Sequence, residues 1–472
     1  MPHRPPRSIL IPLIVACALF MENLDSTVLS TALPTIALSL GESPLRLNLA
    51  ISSYLLSLAV FIPVSGWLAD RIGARTLFRA AIAVFTLGSI CCGISDSLLQ
   101  LVAARVFQGI GGAMMVPVGR LVLLRSTDKA DLVRAMSYLT VPALLGPIIG
   151  PPVGGFLVTY FTWRWIFWIN LPIGLLGILL VTRYIDDIRV ERPQRFDFRG
   201  FVLTAIGISA AMFGFELAGR GLVPTGWVLA LLAIGASALT LYVLHARRLK
   251  APILDLRLLR IQTFRAGVLG GFLFRVGAGA LPFLLPMMLQ LGFGLSAFHS
   301  GSLTFAAGIG AITMKLTARP ILRTLGFRPV LIGNALICAC FLGGIGLFQQ
   351  GMPHLAIILF LLVSGFFRSL QFTSINALTI ADIDRQAMSQ ASTFSTTAQQ
   401  LSLSVGVGVG AMALHLTVLL NGGGPIAAAD FLPPFLLVGL LTAASALMYV
   451  RLPRHAGAEV SGHGIPAPAA SE

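Results

Sequence analysis

The chain is organised by apolar runs. Fourteen of them, at about 9–31, 47–68, 77–93, 98–121, 136–160, 165–181, 201–217, 227–245, 264–290, 298–314, 329–348, 354–378, 389–414 and 431–450, come near the roughly 20 residues that a helix needs to cross a bilayer core. In lipid every backbone polar group must be satisfied within its own helix or within a closed barrel, and runs this long read as helices. Charged residues make up only 11% of the sequence, which excludes a water-soluble globule. The expected fold class is an all-α membrane protein. The first run follows Arg4 and Arg7, but it lacks a small-residue cleavage site and continues to Pro34, so it is read as a retained span and not a signal peptide.

The charges between the runs set how they thread. Membrane proteins hold Lys and Arg back on the cytoplasmic side. With the N-terminus inside, the outward loops hold only Arg46, Arg164 and Arg220, and Arg79, Arg105, Arg120, Arg265, Arg275 and Arg368 fall within runs, which leaves 24 of the 33 basic residues in inside segments. An even number of spans returns Arg451 and Arg454 to the same side, so both termini are expected to be cytoplasmic. The net charge of +15 is then anchoring against acidic headgroups, with no nucleic acid required. All five cysteines lie within runs, so no disulfide framework is expected.

Loop lengths suggest a plan of six, two and six spans. Residues 1–182 form a first six-helix bundle, 183–200 a connector carrying five Arg against four acids, and 201–246 a linker helix pair. A cytoplasmic loop at 247–263, a second bundle at 264–450 and a small, Pro- and Gly-rich tail at 451–472 complete it; the tail is expected to be disordered. "SGWLADRIGARTLFRA" and "MKLTARPILRTLGFRPVL" follow the second span of each half, a weak echo of two related halves around a shared midplane site.

Ionisable groups inside spans are costly and are functional candidates by default. Glu22 and Asp25 are three residues apart and share a helical face. Asp25 lies ~9 Å and Arg105 ~10 Å inside the outer ends of their runs, at 1.5 Å per residue, so the two can sit at one level. A neighbouring guanidinium and desolvation act on a carboxyl in opposite directions, so proton affinity could depend on which side of the protein is open. Asp25, Glu22 and Arg105 are therefore the proton-coupling candidates, a permanent structural ion pair being the alternative.

In the fifth run Gly146, Gly150 and Gly154 recur every four residues, a stripe that lets a neighbouring helix approach closely, while Pro147 and Pro151 interrupt its hydrogen-bond ladder. With Gly155 they form a candidate hinge, against static tight packing as the alternative. Ser402, Gly406 and Gly410 make a similar stripe in the thirteenth run. After the second run, Gly66 and Gly73 are expected to make tight turns. Asp70, Arg71 and Arg75 can pair with charges at neighbouring helix ends, Arg120 being a candidate partner for Asp70; such a gate is bistable, and a solvated charge cluster is the alternative. In the second half Arg275 and Arg368 fall within spans that contain no acid, accompanied by Gln290 and Asn376. With Asn23, Tyr54 and Gln108 of the first half these are the candidate cavity residues, and their charge leans towards an anionic or neutral amphipathic solute.

No phosphate loop, H-E-x-x-H or G-x-S-x-G occurs, so neither ATP hydrolysis nor the common intramembrane hydrolytic chemistries are expected, and no cofactor or metal is implied. The "GIGGAM" at Gly109 lies inside a membrane run with no preceding strand, which disqualifies it as a dinucleotide loop.

Several of these stretches together resemble the fourteen-helix drug:proton antiporter family of the major facilitator superfamily. "LDSTVLSTALP" is similar to its first-helix signature, with Ser30 where Asn is usual; "GWLADRIGAR" to the loop motif, with Ala74 replacing a basic residue; and "RVFQGIGGA" to the fourth-helix motif that carries a buried Arg. "GPIIGPPVGG" resembles the fifth-helix motif associated with antiporters, and "WRWIFWINLPIG" is similar to a segment typical of the fourteen-helix branch. "GESPL", "SGWLAD" and "GGAMMVPVGRL" resemble the MdtD subgroup of bacterial multidrug transporters. The resemblance implies a major facilitator fold of two six-helix bundles with two extra linker helices, in a monomer of the bacterial inner membrane. It implies proton-coupled antiport of a small solute by alternating access. An exporter of an organic anion or metal chelate, and a non-transporting sensor on the same fold, are the alternatives.

Overall fold

The structure is a computed structural model that describes residues 7–42, 44–127, 131–186, 196–218, 224–250, 252–295, 297–422 and 426–463. Among the described residues the chain is helical, with no strand. The helices are α1 (Arg7–Leu40), α2 (Pro44–Phe61), α3 (Ser65–Ile72), α4 (Ala74–Gly93), α5 (Leu98–Ser126), α6 (Leu132–Tyr160), α7 (Trp165–Trp168), α8 (Asn170–Tyr184), α9 (Phe198–Ala218) and α10 (Thr225–Arg248). They continue with α11 (Gln262–Arg265), α12 (Gly271–Met287), α13 (Ala297–Leu325), α14 (Phe327–Ile345), α15 (His354–Ile380), α16 (Met388–Leu420), α17 (Leu432–Val450) and α18 (Ala458–Ser461). A 3₁₀ turn at Ile62–Val64 joins α2 to α3, and a π-helical turn at Ala266–Gly270 joins α11 to α12. Twelve segments among the described residues are long and apolar enough to cross a membrane. Two further 29-residue helices, α6 and α13, pack among them.

Partner choice repeats along the chain. In the first half α1 packs on α6, α2 on α5, and α4 on α5 and α8; in the second, α12 packs on α16, α13 on α15, and α14 on α15 and α17. The turn before α4 and the turn before α14 repeat too, because Gly73 (φ +93°) and Gly326 (φ +75°) both take left-handed backbone that a side chain would strain. The echo between the two basic loops is thus matched in the backbone.

Small residues set the closest helix contacts. A Cβ on Gly146 would lie 2.9 Å from the Cβ of Asn23, and one on Gly150 would lie 2.1 Å from Thr27 Oγ1, so the stripe of α6 seats α1. A Cβ on Gly406 would lie 2.3 Å from the carbonyl oxygen of Val276, which makes α16 on α12 the counterpart contact. Gly154 is buried, while a Cβ on Gly155 would meet nothing within 4 Å; the side chains of Pro147 and Pro151 lie outside the described residues. Gly406→Ala is therefore expected to cost about 1–3 kcal/mol through forced backbone movement, and Gly155→Ala almost nothing. Thermal unfolding in detergent checks both, and equal midpoints for the two variants would contradict the assignment.

Helices α9 and α10 pack on each other, and α9 also touches α2 and α16. Asp197 holds the pair's ends together: it accepts from the Gly200 amide at 2.8 Å and the Ile253 amide at 3.3 Å, and its carboxylate lies 2.8 Å from His245 Nε2.

Three expectations are corrected. The tenth run, given as 298–314, continues as α13 to Leu325, and Lys315 is 7% exposed inside the protein and not in a loop. Gly66 is helical and makes no turn; a Cβ there would lie 2.5 Å from Thr393 Oγ1, so it serves close approach of α3 to α16. The C-terminal stretch is ordered as far as it is described: Leu452 and Val460 are buried, and His463 Nδ1 lies 3.0 Å from the Arg323 carbonyl oxygen. Residues 464–472 lie outside the described residues.

Candidate functional site

A polar network in the first half forms around Asp25. Helix α1 delivers Asp25, α5 delivers Arg105 and Gln108 one turn apart, α4 delivers Ser89, and α8 begins with Asn170. Glycine lets α4 reach α5, since a Cβ on Gly88 would lie 2.6 Å from Gln108 Cα. Asp25 and Arg105 are each 1% exposed and form an ion pair of 2.5 Å. The other carboxylate oxygen of Asp25 accepts from Gln108 Nε2 and from Asn170 Nδ2, both at 3.0 Å. Arg105 also donates to Gln108 Oε1 at 2.6 Å and to the Ala50 carbonyl at 3.2 Å, and its guanidinium lies 4.2 Å over the Tyr54 ring. Ser89 Oγ accepts from both Gln108 and Asn170, at 2.7 and 3.1 Å. A buried ion pair is tolerable only when further hydrogen bonds satisfy the remaining lone pairs and protons, and these contacts do so on both sides.

A second site adjoins the first. A cavity of about 410 Å³ lies between the halves, walled by α1, α2, α5 and α6 on one side and by α13, α15 and α16 on the other. Of the residues singled out from the sequence, Glu22, Asn23, Arg368 and Asn376 line it, and so do Arg120 and the unanticipated Lys315. Glu22 contributes the one carboxylate of this wall, and one of its oxygens is buried without a hydrogen-bond partner. The ammonium of Lys315 donates to Thr373 Oγ1. Gln399 and Gln400 add polar groups from α16.

The other expected cavity residues lie elsewhere. Gln108 and Tyr54 belong to the Asp25 network. Arg275 is 3% exposed and sits behind the wall, donating to Asn376 Oδ1 at 2.8 Å, with Phe372 at 5.8 Å from the guanidinium and its Nε unpartnered. Gln290 lies in the π-helical turn Met288–Gly292, away from the cavity.

The loop motif meets the second half. Asp70 pairs with Arg125 at 3.1 Å and accepts a hydrogen bond from Ser389 of α16. This corrects the expected partner: Arg120 turns to the cavity, with Nη1 3.4 Å from Ser395 Oγ. Ser65 lies 3.2 Å from Thr393, Ser392 donates to the Pro117 carbonyl at 2.9 Å, and Asp131 of the first half stands 3.8 Å from Arg319 of the second. Arg71 packs on Trp67 and Arg75 donates to the Thr182 carbonyl, so these two brace the first half and do not cross to the second.

Sequence reasoning passed over Ser89, Asn170, Lys315 and the hydroxyls of α16. The signal for the last was visible: "SQASTFSTT" opens an otherwise apolar run with small polar residues that a buried helix face would not otherwise carry.

A family model described as Major Facilitator Superfamily matches residues 15–407. A protein of Salmonella heidelberg (strain SL476) named "Putative multidrug resistance protein MdtD" is 40% identical over 447 residues, which is 93% of this chain and 94% of the relative. Its namesake in Salmonella paratyphi A (strain ATCC 9150 / SARB42) matches equally. Among solved structures, the human organic anion transporter MFSD10 (TETRAN) superposes with a TM-score of 0.70 at 16% identity, over 94% of this chain and 100% of that one. The proton:xylose symporter XylE bound to 6-bromo-6-deoxy-D-glucose gives 0.68 at 15% identity, over 96% and 98%. At such identities these two likenesses concern the fold alone.

Proposed function

Because the chain belongs to the major facilitator superfamily, a family of membrane transporters and not enzymes, we propose that it exports a small amphipathic solute by alternating access, driven by proton antiport. The observation that carries this reading is the double duty of α1. Glu22 and Asn23 face the inter-half cavity, while Asp25, less than one turn further on, is the centre of the buried network. A change of protonation at Asp25 would alter its hold on Arg105 and Asn170, and so reposition the helix that forms one cavity wall. On this reading fourteen helices span the inner membrane of a bacterium, α6 and α13 among them. Both termini are cytoplasmic, two six-helix bundles flank the α9–α10 pair, and the working unit is a monomer. The relatives' name supports multidrug-type export as the family setting.

A second reading concerns solute charge. Arg120, Lys315 and Arg368 oppose a single carboxylate, Glu22, in the cavity wall, which favours an organic anion or a metal–carboxylate chelate over a lipophilic cation. Counterflow in proteoliposomes, with and without a pH gradient, tests both readings, with ethidium as cationic probe and carboxyfluorescein as anionic probe. Gradient-independent flux of whichever probe is carried would remove the antiport assignment, and absence of any flux across a wider solute panel would favour a sensor.

The contacts of Asp70 act as the cytoplasmic gate in this scheme. Asp70→Asn weakens the Arg125 pair and the Ser389 bond, both of which belong to one conformation and lie apart from the cavity wall. The expected result is turnover slowed about tenfold, the equivalent of ~1.4 kcal/mol, with solute affinity near wild type. A large loss of affinity at a normal exchange rate would contradict the gate.

A further inference from the structure

Asn170 opens α8 within the stretch "WINLP" and is fully buried. Its amide nitrogen donates to Asp25 Oδ1 at 3.0 Å and to Ser89 Oγ at 3.1 Å. Its amide oxygen is buried with no hydrogen-bond partner at all. An orphaned buried acceptor is costly and asks for an explanation. Here the neighbour supplies one. An amide is one of the few side chains that offers donors on one arm and an acceptor on the other. A carboxylate needs donors; the same group once protonated carries an O–H and needs an acceptor.

We infer that Asn170 positions Asp25 in both of its protonation states, giving its N–H to the carboxylate and, by turning its amide over, its carbonyl oxygen to the carboxylic acid. The other partners cannot do this. Arg105 is donor-only, and Gln108 already has its oxygen engaged by Arg105 Nη1 at 2.6 Å. The Asn170 oxygen is thus an uncommitted acceptor on the amide that already contacts the Asp25 carboxyl, and turning that amide over presents it to the acid. Asn170 is a positioning residue: it touches no solute and acts through Asp25. The inference rests on the reading of Asp25 as the proton site.

The titratable groups around Asp25 are Glu22 on its own helix, Arg105 on α5, Tyr54 on α2 and Cys92 on α4. Arg105 stays cationic; Glu22 and Tyr54 each carry a buried unpartnered oxygen, but among the described residues the hydrogen bonds to the Asp25 carboxylate come from Arg105, Gln108 and Asn170.

The test needs no solute. Infrared spectra of the purified full-length protein are titrated with pH, and the protonated carboxyl C=O band of Asp25 is assigned by its loss in Asp25→Asn. In Asn170→Leu the charged state loses a donor and the acid loses an acceptor. Bonds to charged groups are the stronger, so the charged state loses more than the acid does and the midpoint moves up by about one pH unit. The band itself also shifts, since the acid has lost its partner. Asn170→Asp keeps the side-chain shape in case the leucine variant fails to accumulate; two adjacent carboxyls then share a proton, and the midpoint moves up further than in Asn170→Leu. A wild-type midpoint and band in either folded variant overturns the inference while leaving Asp25 as the proton site. If no band is lost in Asp25→Asn, Asp25 does not titrate, and the coupling reading falls first.

Discussion

Asp25→Asn is expected to abolish pH-gradient-driven accumulation while exchange of solute down its own gradient continues. Asparagine fills the same space and can keep the hydrogen bonds to Gln108 and Asn170 in some amide orientation, but it neither binds nor releases a proton. Its cost is not small. Removing the carboxylate leaves Arg105 buried without its counter-ion, and breaking a buried pair from one side costs about 3–5 kcal/mol. The contacts of Arg105 with the Ala50 carbonyl, Gln108 and the Tyr54 ring remain, so insertion is retained and the thermal midpoint falls. The double variant Asp25→Asn with Arg105→Gln removes the stranded charge and should recover much of that stability, yet still show no uphill transport. Proteoliposome accumulation with and without an imposed gradient, run beside thermal unfolding, separates the two effects. Uphill transport at the wild-type rate in Asp25→Asn would end the assignment of this carboxyl as the coupling site.

The fold was legible because its signals are long. Runs of apolar residues and the glycine stripes of α6 and α16 each extend over many residues and survive errors at any one. The Asp25–Arg105 pair was legible for a different reason: two charges at matching depth in spans have few places to go except to each other. What escaped was local. Lys315 was placed outside the membrane because a lysine ends an apolar run, whereas a long amphipathic side chain can extend a helix and bury its head against a hydroxyl such as Thr373. Arg275 was placed in the cavity because depth can be counted from sequence but azimuth cannot; its helix turns it behind Asn376. Arg125 displaced Arg120 as the partner of Asp70 for the same reason, since five residues along α5 change the face that is presented. Asn170 stood in a stretch that carried the family resemblance, yet nothing local tells a lone buried amide that packs from one that serves a carboxyl.

The arrangement also bears on how protons and solute are linked. A cation and a proton would compete directly for Glu22, the cavity carboxylate, and such competition is by itself antiport. An anion would not compete: protonating Glu22 removes a like charge and helps the anion bind, which is co-transport in sign. Antiport of an anion therefore needs the proton to act from outside the cavity, through conformation. Asp25 is placed for that, being sealed from the cavity behind its own hydrogen bonds while sharing α1 with the wall.

The second large effect is expected from the cavity cations. In Lys315→Ala with Arg368→Ala the wall loses two of its three positive side chains, and neither has a carboxylate partner among the described residues. If the solute is anionic, each lost charge-assisted bond is worth about 1.5–3 kcal/mol, or about 10–100-fold in affinity. Binding of carboxyfluorescein, followed by fluorescence anisotropy on purified protein, should then fall at least about 100-fold in the double variant, with lysine at position 368 restoring part of it. Glu22→Gln moves the result the other way. It should tighten the anionic probe and, if the coupling proton resides on Asp25 as proposed, leave gradient-driven transport intact. Tight ethidium binding that Glu22→Gln abolishes, together with an unchanged response of carboxyfluorescein to the loss of Lys315 and Arg368, would reverse the assignment: the solute would be a cation, and Glu22 would take over as the group for which proton and solute compete.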